Sequence, residues 1–265
     1  MRAEELLAAG DLDGTLAALQ DEVRLDASNA KLRIFLFQLL CVRGDWKRAI
    51  TQLKLCAEMN EVAVPMAQTY REGIVCEIHR EKIFRGKVEP LVFGEPQEWT
   101  ALMIEAQKAQ ASGSTSQAAD IRAKAFDAAP SVSGELNGDA FEWIADADMR
   151  LGPLLEVVVN GRYFWMPFDA ISIVTFDPPA DLRDSVWTPA SLTLRNGGEI
   201  VALIPTRYAG TVENGSDAEK LARATSWVDV GAETYQGLGQ RLFATDLGDT
   251  SLMDIRSLKV NANYV

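Results

Sequence analysis

Leu154-Leu-Glu-Val-Val-Val-Asn160, then Gly161, then Arg162-Tyr-Phe-Trp-Met-Pro-Phe168 is the stretch on which the fold turns. Apolar, β-branched and aromatic residues fill both arms, and the Asn-Gly pair between them is suited to a tight turn, so the arms read as the two strands of a hairpin. Downstream, Ala190-Ser-Leu-Thr-Leu-Arg195 and Glu199-Ile-Val-Ala-Leu-Ile204 flank Asn196-Gly197-Gly198 and predict a second hairpin, with Ile171 to Phe176 as a further β-prone run. Trp227-Val-Asp-Val230 and Arg241-Leu-Phe-Ala244 add short strands. Short strands with turn signals between them favour a compact β-rich α+β half, partly barrel-like, over a Rossmann-type sheet.

Upstream the period changes. Gly10-Asp-Leu-Asp-Gly-Thr-Leu-Ala-Ala-Leu19 aligns with Gly44-Asp-Trp-Lys-Arg-Ala-Ile-Thr-Gln-Leu53, an offset of 34 residues and the period of tetratricopeptide repeats. A weaker third copy begins at Gly113. Between the first two copies, Asn29 to Val42 is apolar on most sides and predicts a central packing helix. Pro65 to Arg85 opens with proline at a first helical position and carries Met66, Tyr70, Ile74, Ile78 and Ile83 as a stripe. Gly86 to Pro96 reads as a loop, and Glu98 to Ala111 and Ser116 to Ala128 resume the helical pattern. The expected organisation is two domains, a TPR-like helical region over 1–138 and a β-rich region over 139–265.

The chain has 265 residues, 48% hydrophobic and 24% charged, which excludes a disordered polymer. Its 38 acidic residues against 26 basic ones give a net charge of −12, with both halves acidic. That field repels phosphate backbones and anionic headgroups, so neither nucleic acid nor membrane is an expected partner. No apolar run reaches the roughly 18 residues of a membrane span, and the opening Met1-Arg-Ala-Glu-Glu lacks a leader pattern, which predicts a soluble, cytoplasmic protein. Three cysteines, Cys41, Cys56 and Cys76, are spaced as buried structural thiols rather than as metal ligands.

Catalytic signatures are missing. The single histidine, His79, leaves no partner for a multi-histidine zinc site or a catalytic triad. No phosphate loop, dinucleotide turn, nucleophile elbow or zinc-protease helix occurs. Gly237-Leu-Gly239 reads as a sheet-entry turn, and Asp246, Asp249 and Asp254 are not spaced as a calcium loop. The expectation is a non-enzyme with no cofactor and no metal. Tryptophan and arginine are the residues that most often anchor protein interfaces. Arg162, Trp165, Trp187, Arg207, Tyr208 and Arg241 are accordingly the candidate partner-binding residues, with a groove on the helical half as the competing location. An alternative reading makes Arg162, Arg207 and Arg241 the lining of a small-molecule or anion-binding enzyme site.

Longer ordered motifs carry a family resemblance. Asp148-Met-Arg-Leu-Gly-Pro153 and the hairpin Leu155 to Phe168 are followed by Asp181-Leu-Arg-Asp184 with Trp187 and Pro189, then by Asn196-Gly-Gly198. Ala202-Leu-Ile-Pro-Thr-Arg-Tyr208 comes next, and Gly237-Leu-Gly-Gln-Arg-Leu242 with Thr245-Asp246 closes the series. This succession resembles the ImpE/TagJ (SciE-type) accessory proteins of bacterial type VI secretion and spans nearly the whole second half. The resemblance implies a non-enzymatic cytoplasmic adaptor that binds the N-terminal helix of the small contractile-sheath subunit and is linked to the sheath-recycling AAA+ ATPase. It implies no catalytic residue.

Overall fold

The computed structural model describes residues 2–261. Seven helices open the chain: α1 (Arg2–Ala9), α2 (Leu12–Leu25), α3 (Ala30–Val42), α4 (Trp46–Met59), α5 (Val64–Phe84), α6 (Glu98–Ala111) and α7 (Thr115–Ala128). They pair as antiparallel hairpins, α1 with α2, α3 with α4 and α6 with α7. Local chemistry sets the ends. The carboxylate of Asp11 accepts from the Gly14 amide at 2.7 Å, and the Asn29 side chain accepts from the amides of Lys31 and Leu32, capping donors that a helix start leaves open. Gly44 stands between α3 and α4 at φ +72°, and a Cβ there would lie 2.2 Å from Cγ1 of Val212, so the turn needs glycine for its backbone and for its packing.

The strands are β1 (Leu91–Val92), β2 (Gly134–Leu136), β3 (Asp139–Phe141), β4 (Ile144–Asp146), β5 (Leu154–Val159), β6 (Arg162–Pro167) and β7 (Ile171–Phe176). After them come β8 (Trp187–Leu194), β9 (Glu199–Pro205), β10 (Thr225–Asp229), β11 (Tyr235–Gly239), β12 (Leu242–Thr245), β13 (Gly248–Ser251) and β14 (Ser257–Val260). Two one-turn helices, α8 (Thr211–Asn214) and α9 (Asp217–Lys220), lie between β9 and β10. The central hairpin forms as its sequence dictates. Asn160 and Gly161 take φ +48° and +70°, and Val159 faces Arg162 in an unbroken register that ends with Leu154 opposite Pro167.

Among the described residues nine strands form one sheet in the order β1-β6-β5-β9-β8-β7-β14-β2-β3. The sheet stays open, so the partly barrel-like form expected of this half is not a closed barrel. Its edges are the two-residue β1, parallel to β6, and the three-residue β3, both too short to pair with each other across the sheet. β1 lies where a loop was expected. Likewise β2, β3 and β4 occupy a Ser/Gly-rich stretch and the acidic segment after it.

The central strand β5 is buried on both faces. In β5, Leu154 and Val158 join a core shared with α1–α6, whereas Leu155, Val157 and Val159 join a second core under β4, β12 and β14. Fully buried Leu39, Leu40 and Val42 place α3 at the centre of the first core, as its composition predicts. The architecture is α+β in three layers, with helices on one face of the sheet and the three-stranded β13-β12-β4 layer on the other. Among the described residues no helix is long and apolar enough to cross a membrane.

Candidate functional site

Two concave features flank α5, and the same helix explains both. Its first half, with α4, walls an apolar groove of about 680 Å³, floored by Leu53 and Ala67 and lipped by Ile50, Ala57, Val64 and Val75. Val64 and Val75 are 46% and 53% exposed, and Met59 and Val62 extend the apolar surface past the end of α4. Lys54, Arg71 and Glu72 supply a charged rim. The hairpin turn closes one end, where the Cys76 thiol donates to the Gly161 carbonyl at 3.3 Å. From Val64 to Val75 the groove follows α5 for about 16 Å, three helical turns.

The second half of α5 carries charge into the core. Glu156 projects from β5 toward the helices between Leu154 and Val158, fully buried. Arg80 grips it in a two-pronged pair, Nε to Oε1 at 2.5 Å and Nη2 to Oε2 at 2.8 Å, and Nη2 also donates to the Arg207 carbonyl at 2.8 Å. Arg241 and the Tyr163 hydroxyl donate to the same carboxylate, and Arg241 pairs with Asp146 from β4. Burial alone pushes the Glu156 carboxyl upward. Arg80 and Arg241, with the hydrogen bonds from Arg80 and Tyr163, overcome it and bring the carboxyl to about 2. Asp146 has Arg241 as its one cationic partner against the neighbouring Asp148 charge; burial dominates and its carboxyl is pushed up to about 7.

This lattice lies behind a cleft of about 520 Å³ between α5 and the segment that runs from Arg207 into α8 and the β10–β11 ribbon. Asp148 and Arg150 brace its side: Arg150 Nε lies 2.9 and 3.0 Å from the two Asp148 oxygens, and Asp148 also accepts from the Gly237 amide at 2.9 Å. Arg207 is held without a carboxylate. Its Nη1 donates to the carbonyls of Val42 and Lys220, both at 2.7 Å, and its Nη2 to that of Cys41. The guanidinium therefore ties α3 and α9 to the sheet, and burial draws it down to about 10.

The six residues singled out from sequence separate in space. Trp165 and Trp187 are fully buried. Trp165 donates to the Tyr163 hydroxyl at 2.8 Å, and Trp187 packs on Trp46 and Tyr70, so neither presents a surface to a partner in this arrangement. Arg241 is sealed in the ion lattice. Arg207 and Tyr208 reach the cleft wall, where Tyr208 packs on Trp227 and shares two hydrogen bonds with the Leu242 backbone. Only Arg162 among them is exposed, with its guanidinium 5.5 Å from the Phe164 ring. The three arginines of the alternative enzyme site do not converge: two are structural and the third lies at the far hairpin end.

Glu77, Arg80, Glu156, Asp146 and Asp148 are the site residues that the sequence reading passed over. One signal was present, a glutamate inside Leu154-Leu-Glu-Val-Val-Val159, where a buried strand admits a charge only with a partner. His79 is half-buried on α5. No group of three or more metal-ligating side chains is assembled among the described residues.

Comparison with known proteins places this architecture. The family model described as ImpE protein matches residues 138–259, the span holding most of the sheet, Asp146, Glu156 and Arg241 of the ion lattice and one wall of the cleft. A curated Pseudomonas aeruginosa protein, the type VI secretion system accessory component TagJ, is 52% identical over 258 residues, covering 97% of this chain and 90% of its own length. The X-ray crystal structure of protein VPA1032 from Vibrio parahaemolyticus superposes with a TM-score of 0.90 at 26% identity, covering 100% of this chain and 99% of that one. Relatedness of that degree along nearly the whole length is decisive: the chain belongs to the ImpE/TagJ family.

Proposed function

We propose that this protein is a non-enzymatic cytoplasmic accessory factor of type VI secretion, and that it docks the N-terminal amphipathic helix of the small sheath subunit in the groove between α4 and α5. Family membership supports the secretion role, since the Pseudomonas relative carries that description. The observation that supports the docking mode is the groove itself, an exposed apolar channel about three helical turns long with a charged rim. An amphipathic helix lays apolar anchors at i, i+3, i+4 and i+7 into a channel of this kind. In this reading residues 1–138 act as a TPR-like helical domain that supplies the groove, and residues 139–265 as the β-rich domain that buttresses it. The sheath-recycling AAA+ ATPase is a further partner in the same reading.

Isothermal titration of the full chain with a synthetic N-terminal sheath helix tests it. Saturable binding is expected, weakened about tenfold or more in Val64→Glu and Val75→Glu, both exposed positions that leave folding intact. Binding that ignores both substitutions would place the contact elsewhere, and absence of heat at high micromolar peptide would refute the adaptor reading.

A further inference from the structure

The groove between α4 and α5 carries a charge that its apolar lining does not call for. Lys54 on one wall and Arg71 on the other stand near its middle, Lys54 between Ile50 and Ala57 and Arg71 between Val64 and Val75. Both are exposed, on a chain whose net charge is −12. Lys54 has only a loose pair with Glu58 on its own helix, 3.7 Å apart with the two side chains 78% and 56% exposed. A pair of that kind contributes little and leaves the ammonium open to a better partner. Arg71 makes no ion pair, hydrogen bond or ring contact among the described residues. Glu72, the next residue, is turned to the hairpin end, its carboxylate 2.9 Å from where a Cβ on Gly161 would stand. Floor and ends are apolar, and the middle holds two cations without a fixed counter-charge.

A helix laid over this groove takes water from both cations as it covers them. An apolar side chain at that point gives the charges nothing in return, and a basic one adds repulsion across a partly desolvated contact. A carboxylate answers both walls. Along α5, Arg71 lies seven residues after Val64 and four before Val75, about 10 and 6 Å along the axis. We propose that the groove selects its helix by charge as well as by shape. The docked helix carries a carboxylate on the flank of its apolar stripe, one turn from the anchor that meets Val75 and two from the anchor that meets Val64, and this carboxylate pairs with Arg71 and Lys54. The inference rests on the docking reading above and adds to it the chemistry by which one amphipathic helix is told from another.

A charge swap on the full chain tests the assignment, read by calorimetric titration with the synthetic helix named above. Arg71→Glu is expected to weaken binding about fivefold or more, with unchanged circular dichroism, because the side chain it replaces is exposed and makes no contact. Lys124→Glu makes the same charge change at an exposed position on α7 and is expected to leave the affinity within about twofold of the parent. A set of peptides in which each acidic residue of the helix is changed in turn to lysine supplies the reciprocal. One of them is expected to bind the parent chain about fivefold or more weakly and to recover that loss on the Arg71→Glu chain, a rescue that a merely structural effect does not give. Undiminished affinity in Arg71→Glu overturns the proposal, as does an equal loss in Lys124→Glu, or failure of every lysine peptide to recover binding. Each of these outcomes leaves docking in the groove standing, whereas a helix that binds no form of the chain removes the docking reading and this inference together.

Discussion

Replacing Glu156 with glutamine removes one charge from the middle of the molecule and leaves two opposite charges without it. The carboxylate accepts from Arg80 Nε and Nη2, from Tyr163 and from Arg241, all with no solvent access. An amide at this position turns a donor toward guanidinium groups that are themselves donors only. Arg80 retains the long contact to Glu77 and the Arg207 carbonyl, and Arg241 retains Asp146 and the Pro205 carbonyl, so both cations keep part of their satisfaction. Breaking a buried pair from one side costs about 3–5 kcal/mol. For a chain of this size that lowers Tm by about 10 °C. Urea unfolding followed by circular dichroism gives the free energy directly, with Arg24→Ala as the control, since the Arg24–Asp21 pair is about 70% exposed on both sides and is worth under about 0.5 kcal/mol. A loss below about 1 kcal/mol in Glu156→Gln would show that the lattice is not what fastens α5 to the sheet.

Titration of the same lattice sets two opposed pH dependences. Glu156 is held below the ordinary carboxylate range, so its contribution is present above about pH 4 and disappears as pH falls toward 2. Asp146 is held above it, so the folded state keeps that proton more tightly than the unfolded chain and stability declines as pH rises from about 4 to 7. In Asp146→Asn the decline over that upper window is expected to vanish from a series of urea midpoints, and its persistence would assign it to another group. Gly44→Ala combines a positive φ with a Cβ placed 2.2 Å from Val212, and is expected to cost about 1–3 kcal/mol; a neutral result in the same unfolding assay would mean that α8 yields freely.

How far the sequence reaches can be judged element by element. The hairpin from Leu154 to Pro167 was readable because an Asn-Gly turn and two apolar arms admit one pairing. α3 was readable from its apolar density, and the ends of α2 and α4 from the Gly-Asp pairs before them. β1 to β4 were not, since strands of two or three residues show no period and draw their pairing from distant partners. The ion lattice was hidden for a related reason: Glu156 stands 76 residues from Arg80 and 85 from Arg241, and Asp146 stands 95 from Arg241. Trp165, Trp187 and Arg241 show the limit of composition. Large aromatic and guanidinium side chains anchor interfaces and also fill cores, and only the packing of α5 on the sheet decides between the two for these residues.

The 21-residue span of α5 is a single unbroken rod. Its leading turns carry Val64 and Ala67 at the open channel, and its trailing turns carry Glu77, Arg80 and Phe84 at the opposite hollow. With Arg80 pinned to the sheet, the rod has little freedom to slide along its axis. A guest that levers the leading end must therefore tilt or twist the whole shaft about that pin, and the trailing hollow would widen or tighten in step.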